Sequence, residues 1–162
     1  MSTPTVSLET IQSFLSVKRL AMVGLSRNPK HFSVMLFNEL IRRGYDVVPV
    51  NPKASEVLGH PCFARVQDIQ PPVEAALLMT SADITDCAVA DCAQAGVRRI
   101  WLYRAGSTGG AVTPSAVAFC HAHGIEVVPG ECPFMFFPHN GFHTLHGLLS
   151  KLIGRYPKHH AA

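Results

Sequence analysis

Hydrophobic positions along the chain form two kinds of pattern. Short, nearly continuous apolar runs cover residues 20–23, 45–50, 73–80, 98–103 and 125–128. Such runs are typical of strands that are buried on both faces of a sheet. Between them, apolar residues recur at helical spacing, which predicts helices over residues 7–16, 31–43, 83–95 and 113–123. Ser7 and Thr113 are suited to cap the first and last of these helices, and Gly44 is suited to end the second.

Strands that alternate with helices predict an α/β fold, here a Rossmann-like, doubly wound parallel sheet of five strands with helices on both faces. We predict the strand order 3-2-1-4-5. One domain would span residues 1–162, with an N-terminal helix at 7–16 and a C-terminal extension at 133–157 that contains a helix over 142–153. Ligands of such sheets bind at the carboxyl ends of the strands where the order reverses, which is the end of the first strand.

The first predicted strand ends at Gly24, and small or polar residues follow before the next helix begins. A glycine lets a ligand approach the backbone, and the unpaired N–H groups of a helix N-terminus favour an anion. We therefore expect a phosphate at this loop. Gly24 and Ser26 supply only the beginning of the dinucleotide fingerprint GxGxxG, so an ordinary strand-to-helix turn is the alternative interpretation.

The second predicted strand ends in Asn51, Pro52 and Lys53. A site for NAD places a carboxylate here to hold the ribose hydroxyls, whereas this chain has a cation that would attract a phosphate. The sequence thus favours a nucleotide with a phosphorylated ribose, as in coenzyme A or NADP. A solvated surface lysine is the alternative.

Five short motifs occur in an order that is similar to a known family. They are Val23-Gly-Leu-Ser-x-Asn-Pro29, Val48-Pro-Val-Asn-Pro-Lys53, Leu58-Gly-His-Pro-Cys62, Asp68-Ile69 and Ile100-Trp-Leu102. Over roughly residues 17–132 the chain resembles the small single-domain CoA-binding proteins, whose fold is similar to the CoA-binding domain of the succinyl-CoA synthetase alpha subunit.

The resemblance implies a coenzyme A site built from four segments of the chain. In chain order its residues are Gly24, Ser26, Asn28, Lys30, Ser33, Asn51, Pro52, Lys53, Thr80, Ser81, Tyr103, Ala105 and Gly106. The first five would hold the diphosphate, and the next three would lie beside the adenosine ribose and its 3′-phosphate. The Thr80–Ser81 pair would border the adenine or the pantetheine, and the last three residues would line the pantetheine path.

Composition excludes several other classes of function. Of the 162 residues 48% are hydrophobic, and the net charge of +3 comes from scattered basic residues, so we expect no nucleic-acid partner. Apolar runs fall short of the roughly 18 residues that span a bilayer, so we expect no membrane segment. The five cysteines form no CxxC pair, which indicates free thiols and a cytoplasmic location.

Two groups near the C-terminus could carry other chemistry. Cys132 follows the last strand and could face a thioester, but the adjacent Glu131 disfavours a thiolate, so we expect a structural cysteine and no catalytic residue. His139, His143 and His146 match no standard zinc spacing, so we expect no metal. The apolar run at residues 134–137 would cover either the pantetheine arm or the interface of a homodimer.

Two functions remain open from the sequence. The first is a protein that binds coenzyme A or a short acyl-CoA without evident catalytic machinery, because no nucleophile with an adjacent base and no carboxylate pair is recognised. The alternative is an NADP-dependent oxidoreductase or another nucleotide-binding α/β module. The missing fingerprint glycines and the lack of a recognisable substrate domain disfavour the oxidoreductase.

Overall fold

A computed structural model describes residues 6–104 and 109–137. The strands, in chain order, are β1 (Arg19–Val23), β2 (Asp46–Val50), β3 (Glu56–Val57), β4 (His60–Pro61), β5 (Ala75–Leu78), β6 (Arg99–Leu102) and β7 (Glu126–Pro129). The α-helices are α1 (Leu8–Ser16), α2 (Phe32–Arg42), α3 (Ala82–Gln94) and α4 (Pro114–Ala122). Short 3₁₀ turns cover Val66–Asp68 and Pro133–Phe136. The predicted helix over 142–153 lies outside the described residues, as do Ala105, Gly106, His139, His143 and His146.

Five of these strands form one parallel sheet, in the order β2-β1-β5-β6-β7. At its carboxyl edge Val23 of β1 is paired with Val50 of β2 on one side and with Leu78 of β5 on the other. The remaining strands, β3 and β4, make a small antiparallel pair. The predicted doubly wound α/β sheet is confirmed.

The predicted strand order is wrong in one respect. Counted along the five-stranded sheet, the order is 2-1-3-4-5 rather than 3-2-1-4-5, because the third strand, β5, lies beside β1 and not outside β2. The outer edge of β2 is occupied by Phe63, whose N–H donates to Pro49 O at 3.0 Å and whose carbonyl accepts from Asn51 N at 2.9 Å. All four residues of β5 are buried, which suits a position covered on both faces. The order still reverses beside β1, so the crevice lies between β1 and β5.

Alternating side chains of the sheet face two separate core layers. Leu20 and Met22 of β1 pack with α1 and α2 on one face, and Ala21 and Val23 pack with α3 and α4 on the other. Trp101 of β6 is fully buried in the first layer, and its indole N–H donates to Glu131 O at 2.8 Å. The sheet is therefore rigidly covered on both faces, and its carboxyl edge is where a ligand can reach it.

Within residues 6–104 and 109–137, we find no helix with the length and apolar character that a membrane crossing requires.

Helix capping follows the sequence prediction at both ends of the described chain. Ser7 accepts a hydrogen bond from Thr10 N, and Thr113 accepts one from Ala116 N, with Pro114 in the first helical turn.

Asp86 of α3 accepts hydrogen bonds from two residues at the start of α4. The hydroxyl of Thr113 donates to Asp86 Oδ1 at 2.8 Å, and the hydroxyl of Ser115 donates to Oδ2 at 2.6 Å. The Ser115 hydrogen bond, followed by that of Thr113, lowers the pKa of the Asp86 carboxyl.

Asp86→Asn should lower the melting temperature at pH 7, because an amide cannot accept both hydroxyls in the same way. A carboxyl whose pKa is lowered by folding stabilises the fold above its unfolded pKa and loses that effect as the pH falls through the folded value. The difference between wild type and variant should therefore shrink from pH 7 to pH 3 in thermal melts. Glu126→Gln is the control, since that exposed carboxylate accepts no side-chain hydrogen bond in the described chain. An unchanged difference at pH 3 would contradict this account.

Candidate functional site

Gly24 lies where β1 meets the end of β5. Its φ is +87°, and a Cβ at this position would lie 2.9 Å from Met79 O. Its N–H donates to Val50 O at 3.2 Å, so the same residue is also hydrogen-bonded to β2. Close packing of two backbones therefore requires the glycine, which is a different reason from the ligand approach that the sequence suggested.

Three polar side chains of the predicted diphosphate loop hold its backbone. Ser33 Oγ accepts from Ser26 N at 3.1 Å, Ser26 Oγ accepts from Asn28 N at 3.0 Å, and Asn28 Oδ1 accepts from Lys30 N at 3.0 Å. Ser33 is fully buried, whereas Asn28 and Lys30 are exposed. The backbone of the loop between β1 and α2 is thus hydrogen-bonded by side chains of the loop itself and of α2.

His31 caps α2, a role that the sequence analysis missed. Its Nδ1 accepts the Ser33 N–H at 3.2 Å and lies 2.8 Å from Ser33 Oγ. Ser, Thr, Asp and Asn are the residues that usually indicate a helix start, so a histidine cap is hard to predict from the sequence.

A cleft of about 410 Å³ opens at the carboxyl edge of the sheet. Its lining residues are His31, Phe32, Met79, Thr80, Ser81, Ala82, Tyr103 and Gly110. Thr80, Ser81 and Tyr103 were predicted from the sequence as site residues, and the other five were not. The volume is within the usual range of small-molecule sites, about 300–1,000 Å³.

Two helix N-termini open onto this cleft. His31 and Phe32 begin α2, and Ser81 and Ala82 begin α3. The Ser81 side chain makes no capping hydrogen bond and is exposed, so its hydroxyl is open to a ligand. The partial positive charge of both helix ends favours a bound anion.

Thr80 is held in place at the base of the cleft. The Thr85 hydroxyl donates to Ser81 O at 3.0 Å, so the Thr80 hydroxyl, 2.8 Å from Thr85 Oγ1, is the donor in that second pair. Both threonines are buried.

Two stacked aromatic rings form a wall of the cleft. The rings of Phe32 and Tyr103 are stacked at 5.1 Å and 16°, and Phe134 packs edge-on against Phe32 at 5.6 Å. Burial, with a smaller contribution from Cys132, raises the pKa of the Tyr103 phenol, which therefore stays a neutral hydrogen-bond donor. Phe134 brings the predicted apolar run at 134–137 against the back of this wall.

The segment after β2 lies at the same edge of the sheet as Gly24. Asn51 Nδ2 donates to Leu25 O at 3.4 Å, and Asn51 Oδ1 accepts from Lys53 N at 2.9 Å. Pro52 and Lys53 are exposed, and Lys53 has no ion pair within the described part of the chain. Asn51 thus joins the two predicted phosphate segments, and the Lys53 ammonium group is available to an anion.

Cys132 does not have the environment of a reactive thiol. Burial is the main effect that raises the pKa of its thiol, and burial also raises the pKa of the Glu131 carboxyl despite the opposing charge of Arg104. None of the five cysteines forms a disulfide. Among the described residues no group of three His, Cys, Asp or Glu side chains is arranged to hold a metal ion; the three predicted histidines lie outside them.

The fold and the cleft define a class of protein: a Rossmann-like α/β domain with a cleft at the carboxyl edge of its sheet. Within this class, the chain belongs to the CoA binding domain family, whose model matches residues 18–138. Coenzyme A is therefore the class of ligand that the family supports.

The chain is similar to individual proteins in sequence and in fold. The chain is 37% identical over 57 residues to the uncharacterized protein YneT of Bacillus subtilis strain 168, covering 35% of this chain and 42% of YneT. It is 25% identical over 134 residues to the acetate–CoA ligase (ADP-forming) II of Archaeoglobus fulgidus, covering 78% of this chain but 20% of the ligase. The structure of a hypothetical protein from Pyrococcus horikoshii OT3 superimposes with a TM-score of 0.72 at 28% identity, covering 82% of this chain and 94% of that one.

Gly24→Ala should lower the free energy of unfolding by about 3 kcal/mol, because it combines a positive φ with a clash against backbone. Gly96→Ala is a matched control: its φ is +81°, but a Cβ there would meet nothing within 4 Å. The free energy of unfolding of that variant should fall by only about 1 kcal/mol. Urea unfolding measures both, and equal losses would show that the contact with Met79 is unimportant.

Proposed function

We propose that this chain binds coenzyme A or a short acyl-CoA in the cleft at the carboxyl edge of the sheet and performs no chemistry on it. The observation that carries the proposal is the pairing of two helix N-termini with an aromatic wall in one cleft of a CoA binding domain. Such a cleft suits a ligand that has an anionic diphosphate and an uncharged arm.

The two ends of the ligand would take different parts of this edge. The diphosphate would lie against the loop from Gly24 to Ser33 and the start of α2, and the 3′-phosphate would meet Lys53 beside Asn51. The pantetheine would follow Phe32 and Tyr103. Ala105 and Gly106, which lie outside the described residues, would continue that path.

A binding role without catalysis is supported by the state of Tyr103, which lines the cleft, and of Cys132, which influences the Tyr103 phenol. Burial raises the pKa values of both Cys132 and Tyr103, so neither is a ready nucleophile or base at neutral pH. The protein would act as a carrier, a sensor or the CoA-holding subunit of an acyl-transferring assembly. A cytoplasmic location and a homodimer stay predictions.

Coenzyme A should raise the melting temperature more than dephospho-CoA, NADP or NAD does in a thermal-shift comparison. A ligand at about 100 times its dissociation constant stabilises the folded state by about 2.7 kcal/mol. Acetyl-CoA tests the acyl form. If NADP gave the largest shift, the alternative of an NADP-dependent oxidoreductase would be favoured.

Lys53→Ala should weaken coenzyme A binding about fivefold and leave dephospho-CoA binding nearly unchanged, because an exposed charge pair contributes up to about 1 kcal/mol. Isothermal titration calorimetry at low salt measures both ligands. Arg98→Ala is the control, since it removes another exposed cation at the opposite, amino edge of the sheet. Equal losses for both ligands with Lys53→Ala would show that Lys53 does not recognise the 3′-phosphate.

A further inference from the structure

His31 has two nitrogens with different surroundings. Nδ1 faces the first turn of α2, where it meets both the N–H and the hydroxyl of Ser33. The ring itself lines the cleft. In the described part of the chain Nε2 has no hydrogen-bond partner, and it lies on the side of the ring away from the cap.

The hydrogen bonds around Ser33 assign the tautomer of His31. A nitrogen that accepts the Ser33 N–H must carry its lone pair there, so Nδ1 is unprotonated and the neutral ring holds its proton on Nε2. The Ser33 hydroxyl then also donates to Nδ1 and shares its lone pair with the Ser33 N–H, while the hydroxyl oxygen is left to accept the Ser26 N–H. The Nε2–H has no acceptor in the described chain, and it belongs to an exposed side chain that lines the cleft.

We propose that the Nε2–H of His31 donates a hydrogen bond to the diphosphate of the bound ligand, so that His31 is a binding residue as well as a helix cap. The proposal rests on the proposed function, because it names a further contact of the same ligand. The diphosphate is the favoured partner because His31 belongs to the loop and helix start where the exposed Lys30 and the positive helix end attract an anion. A hydrogen bond to a charged oxygen is stronger than one to a neutral group.

The choice of residue supports a role beyond capping. Asn, Asp or Ser would cap α2 at least as well, but their side chains end at the atom that accepts the backbone N–H or close to it. Histidine adds a second nitrogen on the side of the ring opposite the cap, in a residue that lines the cleft. The same side chain can therefore fix the helix start and contact the ligand.

His31→Asn separates the two roles. The asparagine Oδ1 can still accept the Ser33 N–H, so the melting temperature of the free protein should stay within about 2 °C of wild type. The distal donor is lost, so the dissociation constants of coenzyme A and dephospho-CoA should both rise about tenfold at pH 8, because the diphosphate is common to the two. His31→Asp keeps the cap and adds a negative charge, so it should raise the dissociation constants of both ligands further.

The pattern of results distinguishes this proposal from the one on which it rests. If wild type does not bind coenzyme A, the proposed function fails. If wild type binds and His31→Asn binds equally well, the role of His31 is refuted and the function stands. A loss confined to coenzyme A would also refute it, because that pattern belongs to contact with the 3′-phosphate.

Nuclear magnetic resonance gives a readout that a purely structural role would not change. Long-range ¹H–¹⁵N spectra at pH 8 should show His31 protonated on Nε2 in the free protein, with the resonance assigned by its loss in His31→Asn. Saturation with coenzyme A should shift the Nε2 resonance. An unmoved resonance, or a proton on Nδ1, would overturn the proposal.

Discussion

The close approach of two backbones at Gly24 is the constraint on which the rest of the site depends. β1 can end this near to Met79, at the carboxyl end of β5, because no side chain separates them and the positive φ turns the chain away from the sheet. The chain then continues into the loop before α2, and the residues at the start of that helix, His31 and Phe32, line the cleft. A larger residue would clash with the backbone of Met79, so β1 and β5 could not keep this spacing without a shift.

Polar side chains at this edge are mostly used to build the site. Ser26, Asn28 and Ser33 hold the loop backbone, and Asn51 joins that loop to the segment after β2. Among the groups not used in this way are the Ser81 hydroxyl, the Nε2 of His31 and the exposed ammonium group of Lys53.

Burial decides the chemical character of the cleft. The phenol of Tyr103 and the thiol of Cys132 are both held neutral near the stacked ring of Phe32. Neutral groups and aromatic faces suit the uncharged arm of a ligand, while the helix ends that open onto the same cleft suit its anionic part. This division of one cleft agrees with membership of the CoA binding domain family.

Local features of the chain were readable from the sequence. The apolar runs of the five sheet strands, the caps at Ser7 and Thr113 and the glycine at the end of β1 depend on residues close together in the chain, so spacing and residue type were enough to predict them. The tertiary structure decided what depends on distant residues: Phe63 occupying the edge of β2, so that β5 lies beside β1, and Phe32 stacking on Tyr103 to form a wall. It also gave His31 its place in the cleft, because only the folded sheet brings the starts of α2 and α3 together.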